Sequence, residues 1–178
     1  KNLQYQIMNE LMAISPIDGR YYCKIKSLSN YFSEYALFKY RLYVEVTYLL
    51  KFMMEVKPDG YKKIWEMKDK FDDLVSNFSL DETNVIKSIE TVTNHDVKAV
   101  EYYLKNKMRL WGLEKFSEFV HFGLTSQDIN SPAMVMMHKD FNYSILKEDL
   151  ENLKNQLGKF AKEWSNIKML TFTHGQPA

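Results

Sequence analysis

Leu146, Leu150, Leu153, Leu157, Phe160 and Trp164 follow one another at steps of four, three, four, three and four residues. Such spacing is a heptad seam, and it commits this part of the chain to a long helix lying along another long helix. Counted from Ser131 to Asn166, the helix runs about 54 Å at ~1.5 Å per residue, far beyond the usual three or four turns. Its seam has to be buried by long helices from elsewhere in a larger protein or from other subunits. The sequence therefore predicts the opening of a helical bundle, cut in its middle.

The rest of the chain is consistent with that reading. Only six glycines and four prolines punctuate 178 residues, strict alternation is hard to find, and helical spacing recurs nearly everywhere. The expected fold is all-α. Residues 14–22 form the first strong loop, because Ser15-Pro16 and Asp18-Gly19 both demand turn geometry. From about Asn30 to Met54 a helix carries apolar residues on most of its faces, as a buried central helix does, and Pro58-Asp59-Gly60 ends it. A third helix places Ile64, Met67, Phe71, Leu74, Val75 and Phe78 on one stripe. Ser79 and Glu82 have capping-box spacing for a short helix to about Glu90, and Thr93 and Asp96 repeat that spacing ahead of Val97, Val100 and Leu104. Pro132 is best accommodated if Ser131 caps the long helix, because proline suits the first helical position and is costly in the interior. A start at Ser126 with a bend near Pro132 is the alternative. Pro177 has the look of the first residue of another helix. The expected division is an N-terminal helical domain over 1–112 and the start of a bundle domain over 113–178.

Charge and cysteine content narrow the function classes. The net charge of +1 supplies no field to draw in nucleic acid or an anionic membrane, so an anionic ligand has to be held locally. The single cysteine, Cys23, excludes an internal disulfide framework and a cysteine-based metal site, which suits a reducing, cytoplasmic setting. Lys1-Asn2-Leu3-Gln4 has neither the apolar core of a signal peptide nor the pattern of a transit peptide, and charges break every apolar run before membrane-spanning length. His95, His121, His138 and His174 match no short metal-ligand spacing, and the glycines form no phosphate-cradling loop.

The polar chemistry is concentrated at helix ends. In His121-Phe-Gly-Leu-Thr-Ser-Gln-Asp-Ile-Asn-Ser-Pro132, Gly123 reads as a helix stop, and Thr125, Ser126 and Ser131 are cap candidates for the next helix. A helix start with free N–H groups and two adjacent hydroxyls is a ready anion site. His95, His121 and His174 each sit in or beside such a loop, rich in Thr, Ser, Asn, Asp and Gln, whereas His138, within the long helix beside Lys139, reads as a solvated or interface side chain. Each of the three histidines, taken singly, is more often a structural residue satisfied by its loop. Taken together with Asp18-Gly19-Arg20-Tyr21, the loops furnish acid-base groups, hydroxyls and a guanidinium for an anionic substrate.

Ser15-Pro-Ile-Asp-Gly-Arg-Tyr21, Thr93-Asn-His-Asp-Val-Lys-Ala-Val-Glu101, His121-Phe-Gly-Leu-Thr-Ser-Gln-Asp-Ile-Asn130 and Thr173-His-Gly-Gln-Pro-Ala178 resemble, in order, the N-terminal motifs of the adenylosuccinate lyase family, within the fumarase and aspartase superfamily. The last motif alone points only to the superfamily; the second points to this member. The resemblance implies a nonhydrolytic lyase that releases fumarate from adenylosuccinate to give AMP, and from the succinylated aminoimidazole carboxamide ribonucleotide of purine synthesis. It implies no cofactor and no metal, and a homotetramer whose active sites draw on more than one subunit. By motif position His174 is implied as the general acid, with His95 close to it in catalysis or orientation. Arg20, Tyr21, Asn94, His95, Asp96, Thr125 and Ser126 are implied as substrate contacts, and His121 as a neighbour of the substrate phosphate.

The departure from the family is one of length. Its catalytic base is a serine on a Ser-Ser-x-Met-Pro-x-Lys-x-Asn loop, and no such segment occurs in these 178 residues. The chain is therefore expected to hold part of a site and to be inactive by itself. Two rival readings stand beside this one: a sister lyase that forms fumarate from another succinyl substrate, and a helical interaction module whose seam binds a partner helix.

Overall fold

A computed structural model describes residues 10–177 and is helical almost throughout, as the spacing predicts. The Lys1–Gln4 stretch lies outside the described residues. The chain forms two compact units, 1–139 and 140–178.

In the first unit a 3-10 turn at Glu10–Met12 and the loop holding Ser15 and Asp18 lead into the short helices α1 (Tyr22–Ile25) and α2 (Ser29–Phe32). The central helix α3 spans Glu34–Val56. It starts where Ser33 Oγ accepts the Ala36 N–H at 3.2 Å, and it stops at Lys57, which turns left-handed (φ 49°) ahead of Pro58. The apolar stripe expected over 64–78 is broken at Met67 into α4 (Lys62–Glu66) and α5 (Lys68–Ser76). The capping box of Ser79 and Glu82 forms as expected and opens α6 (Leu80–Thr93). Phe38, Leu42, Leu49 and Met53 of α3 meet Ile64, Phe71, Ile86, Val100, Leu104 and Met108 in one core, and α7 (Asp96–Leu110) closes it.

Two boundaries differ from the expectation. Thr93 is not the cap of α7; α6 runs through it, Asn94 turns left-handed (φ 50°), and the extended His95 becomes the cap instead. Asn tolerates that turn better than most residues, so a short break separates the two helices. The other concerns α8, which begins at Ser126 and runs to Phe141 with Pro132 inside it. The reason lies in Thr125-Ser-Gln-Asp128, where one half of a capping box forms with Asp in the Glu position: the N–H and hydroxyl of Thr125 both donate to Asp128 Oδ2, at 2.8 and 3.1 Å. That closure starts the helix well before the proline, which then forgoes one backbone hydrogen bond.

The second unit opens with a π-helical turn at Asn142–Leu146, followed by α9 (Lys147–Glu163), which ends three residues short of Asn166. The seam is open to solvent, with Leu146, Leu150, Leu153, Leu157, Phe160 and Trp164 between 38% and 59% exposed. A small hairpin comes next, pairing β1 (Phe172–Thr173) with β2 (Gln176–Pro177). Its two-residue turn is His174-Gly175, both left-handed (φ 50° and 76°), so Pro177 ends a strand where a helix start was expected.

Candidate active site

Two of the expected site residues of the first unit, Asp96 and His121, meet a polar stripe on α3. Arg41, Glu45 and Tyr48 lie four and three residues apart, hence on one face of α3. Each reaches a different loop. The Arg41 guanidinium, 4% exposed, pairs through Nη2 with Asp96 Oδ2 at 2.7 Å and donates through Nε to Asn130 Oδ1 at 2.9 Å. Glu45, fully buried, meets His121 Nδ1 at 2.5 Å. Tyr48 donates its hydroxyl hydrogen to the Phe122 carbonyl at 2.8 Å.

These contacts bring the start of α7 against the start of α8. His95 Nδ1 accepts the Lys98 N–H at 3.2 Å, as a capping side chain does. A ring nitrogen that accepts carries no hydrogen, so the neutral ring holds its hydrogen on Nε2, and Nε2 faces Ser126 Oγ at 3.4 Å. The cap thus makes the outer edge of His95 a donor. His121 is itself left-handed (φ 59°), which turns its ring back toward Glu45.

Charge is held unevenly here. Burial pushes the Glu45 carboxyl above the ordinary 4.5, against the pull of His121, and its Oε2 has no hydrogen-bond partner among the described residues. The neighbouring Glu101 is also buried, but Lys98 and Lys105 outweigh the burial and hold it low. For Asp96 burial is likewise overcome, by the Val97 N–H and by Arg41. Asp128 is lowered by the Thr125 N–H and hydroxyl.

Not every expected residue joins this group. His95, Asp96 and Ser126 come together, and Thr125 lies beside Ser126 with its side chain bound to Asp128. Asn94 is the exposed hinge before them. Arg20 and Tyr21 are exposed and bond to each other, Nη2 to the phenol oxygen at 2.9 Å, with the guanidinium 4.7 Å from the ring centre. His174 sits in the second unit, at the tip of its hairpin. Arg41 and Glu45 are not singled out by the sequence motifs, and Asn130, which closes the third motif, was not among the expected site residues. Lys51 and Glu55 stand at the same spacing on α3 and are exposed, so the sequence does not mark which pair of charges is buried and partnered. Among the described residues no group of three or more His, Cys, Asp or Glu is arranged to hold a metal ion, and no helix is long and apolar enough to cross a membrane.

A family model described as Lyase matches residues 19–178. Proteins named adenylosuccinate lyase are similar over 96% of this chain: that of Dictyostelium discoideum is 44% identical, that of Escherichia coli 39% and that of Vibrio cholerae 38%. The chain spans 38% of the length of these relatives. With nearly its whole length matched by the family model and by these relatives, the chain belongs to this lyase family and, within it, resembles the adenylosuccinate lyases.

Proposed function

We propose that this chain is the N-terminal part of an adenylosuccinate lyase, which eliminates fumarate from adenylosuccinate to leave AMP and acts likewise on the succinylated aminoimidazole carboxamide ribonucleotide. The observation that carries the reading is the approach of His95 Nε2 to Ser126 Oγ, two motif residues 31 positions apart, at paired helix starts. Free N–H groups and hydroxyls at a helix start suit a phosphate or carboxylate. Arg20, Tyr21, Asn94, His95, Asp96, Thr125 and Ser126 contact the substrate, and His121 lies near its phosphate. In the elimination a base removes the proton from the carbon beside a succinyl carboxylate, the carbon–nitrogen bond breaks, and His174 protonates the departing nitrogen. His95, whose Nε2 faces Ser126, lies close to the acid and contributes to catalysis or to orientation of the substrate.

The base comes from outside these residues, and the reaction needs neither cofactor nor metal. Residues 1–112 form the N-terminal domain and 113–178 begin the bundle domain, although 113–139 pack within the first compact unit. The open seam of α9 is then the surface along which a homotetramer assembles, in the cytoplasm, with sites shared between subunits.

Fumarate release measured with this chain and with the full-length protein tests the reading. The full-length protein turns over and the chain alone does not; turnover by the purified chain places the base within these residues and overturns the division of labour. In the full-length protein His174→Asn keeps a hydrogen-bonding side chain of similar size but cannot deliver a proton, so turnover falls about 100- to 10,000-fold with substrate still bound. Ser126→Ala acts on affinity instead, by about 1 to 3 kcal/mol for a bond to a charged group. Near-normal turnover by the His174 variant, with lost stability alone, removes the acid assignment. A sister lyase is distinguished by fumarate formed from a different succinyl compound and not from adenylosuccinate.

A further inference from the structure

We propose that Arg41 is a positioning residue that sets the distance between His95 and Ser126, acting through Asp96 on α7 and Asn130 on α8. The inference rests on the reading that His95 and Ser126 face the substrate. Nε–H and Nη2–H form one rigid edge of the guanidinium, and here that edge is divided between acceptors on two different helices, at 2.9 and 2.7 Å. Asp96 is the residue next to His95, and Asn130 lies one turn beyond Ser126 on the same face of α8. A shift of either helix start breaks one of the two bonds.

Burial makes the clamp stiff. Arg41 is 4% exposed, its charge is matched by Asp96, and its guanidinium stands 5.9 Å from the Phe38 ring centre. A buried cation that loses one partner has no water to turn to, so the arrangement is held more tightly than an exposed pair. Asp96 Oδ1 accepts the Val97 N–H at 2.9 Å, which fixes the carboxylate to the helix start that bears the His95 cap. Lysine at position 41 keeps the charge but places its donors around one atom and cannot reproduce the two-sided edge.

The test reads the ring and the reaction separately. In the 178-residue chain, nitrogen NMR of labelled histidines shows His95 as a fixed Nε2–H tautomer. Arg41→Lys weakens the nuclear Overhauser contact between the His95 ring and the Ser126 side chain and shifts the His95 Nε2 signal, while His121, held by Glu45, stays in place. Asn130→Ala, which leaves the Arg41–Asp96 pair intact, has the same effect and carries the test if Arg41→Lys does not fold. A folded variant of either kind whose His95 signals match the wild type overturns the proposal. In the full-length protein Arg41→Lys lowers kcat by about 10- to 100-fold, the scale of a small misplacement, with KM little changed. Unchanged kcat overturns it as well. If wild-type full-length protein releases no fumarate from adenylosuccinate, the proposed function fails, and the NMR arm still decides the clamp.

Discussion

His95 does two jobs with two ring nitrogens, and they can be separated. Nδ1 caps α7 and Nε2 faces Ser126. Asn is among the best capping residues, so His95→Asn should leave the melting temperature of the chain nearly unchanged, whereas His95→Ala should cost about 1 kcal/mol by denaturant titration. Both should depress fumarate release in the full-length protein. If the two variants are equally unstable, the ring is not acting as a cap. Glu45 offers a second test, through pH. Its carboxyl is raised above the ordinary 4.5 in the folded chain, so its contribution is fully present below that value and is lost as pH rises through the folded pKa. Glu45→Gln keeps an acceptor for His121 without the buried charge. Its melting temperature relative to wild type should therefore climb as pH rises from 4.5, then level off. A difference that is flat across that range removes the desolvation effect. At this scale the polar helix ends that hold His95 and Ser126, which do meet, were legible in the sequence. Arg41 and Glu45 were not, because the apolar content of α3 speaks for packing and a buried charge announces itself only through its partner.

Among the elements, the helical spacing determines which segments are helices but not where each begins. Thr93 and Thr125 both head a capping-box spacing with Asp in the Glu position, yet only Thr125 uses it. At Thr93 the preceding helix is already satisfied in running on, and Asn94 takes the left-handed turn that lets His95 replace it. Ser131 loses the start of α8 for a related reason. Pro132 gives up one hydrogen bond inside the helix, and the Thr125–Asp128 closure upstream offsets that loss. The seam of α9 makes a prediction of its own. In this chain Leu150 and Leu157 are 55% and 59% exposed, so Leu150→Ala and Leu157→Ala should change its stability by no more than about 0.5 kcal/mol each. In the full-length protein the same changes should cost about 2 to 5 kcal/mol per site if the seam is a bundle core. Urea titration of both proteins gives the comparison, and equal small effects in both would remove the seam from the interface.

For the molecule as a whole, the exposed seam is the feature that bears on assembly. A surface with Leu146, Leu150, Leu153, Leu157, Phe160 and Trp164 in line is more apolar than an isolated protein keeps open. Light scattering of the full-length protein should give the mass of a tetramer, and Leu150→Ala with Leu157→Ala should lower it; a stable monomer sinks the assembly proposed here. The backbone of the motif loops also bears on how such a protein changes over generations. Asn94, His121 and His174, all in those loops, adopt the left-handed conformation that favours glycine, at φ 50°, 59° and 50°. Each holds a conformation costing roughly 1 to 2 kcal/mol relative to its relaxed alternatives, less for Asn. At exposed Asn94 and His174 a population selected only for survival at high temperature should therefore drift toward glycine, whereas the contact with buried Glu45 holds His121 in place, and selection for growth that depends on the proposed reaction should restore both.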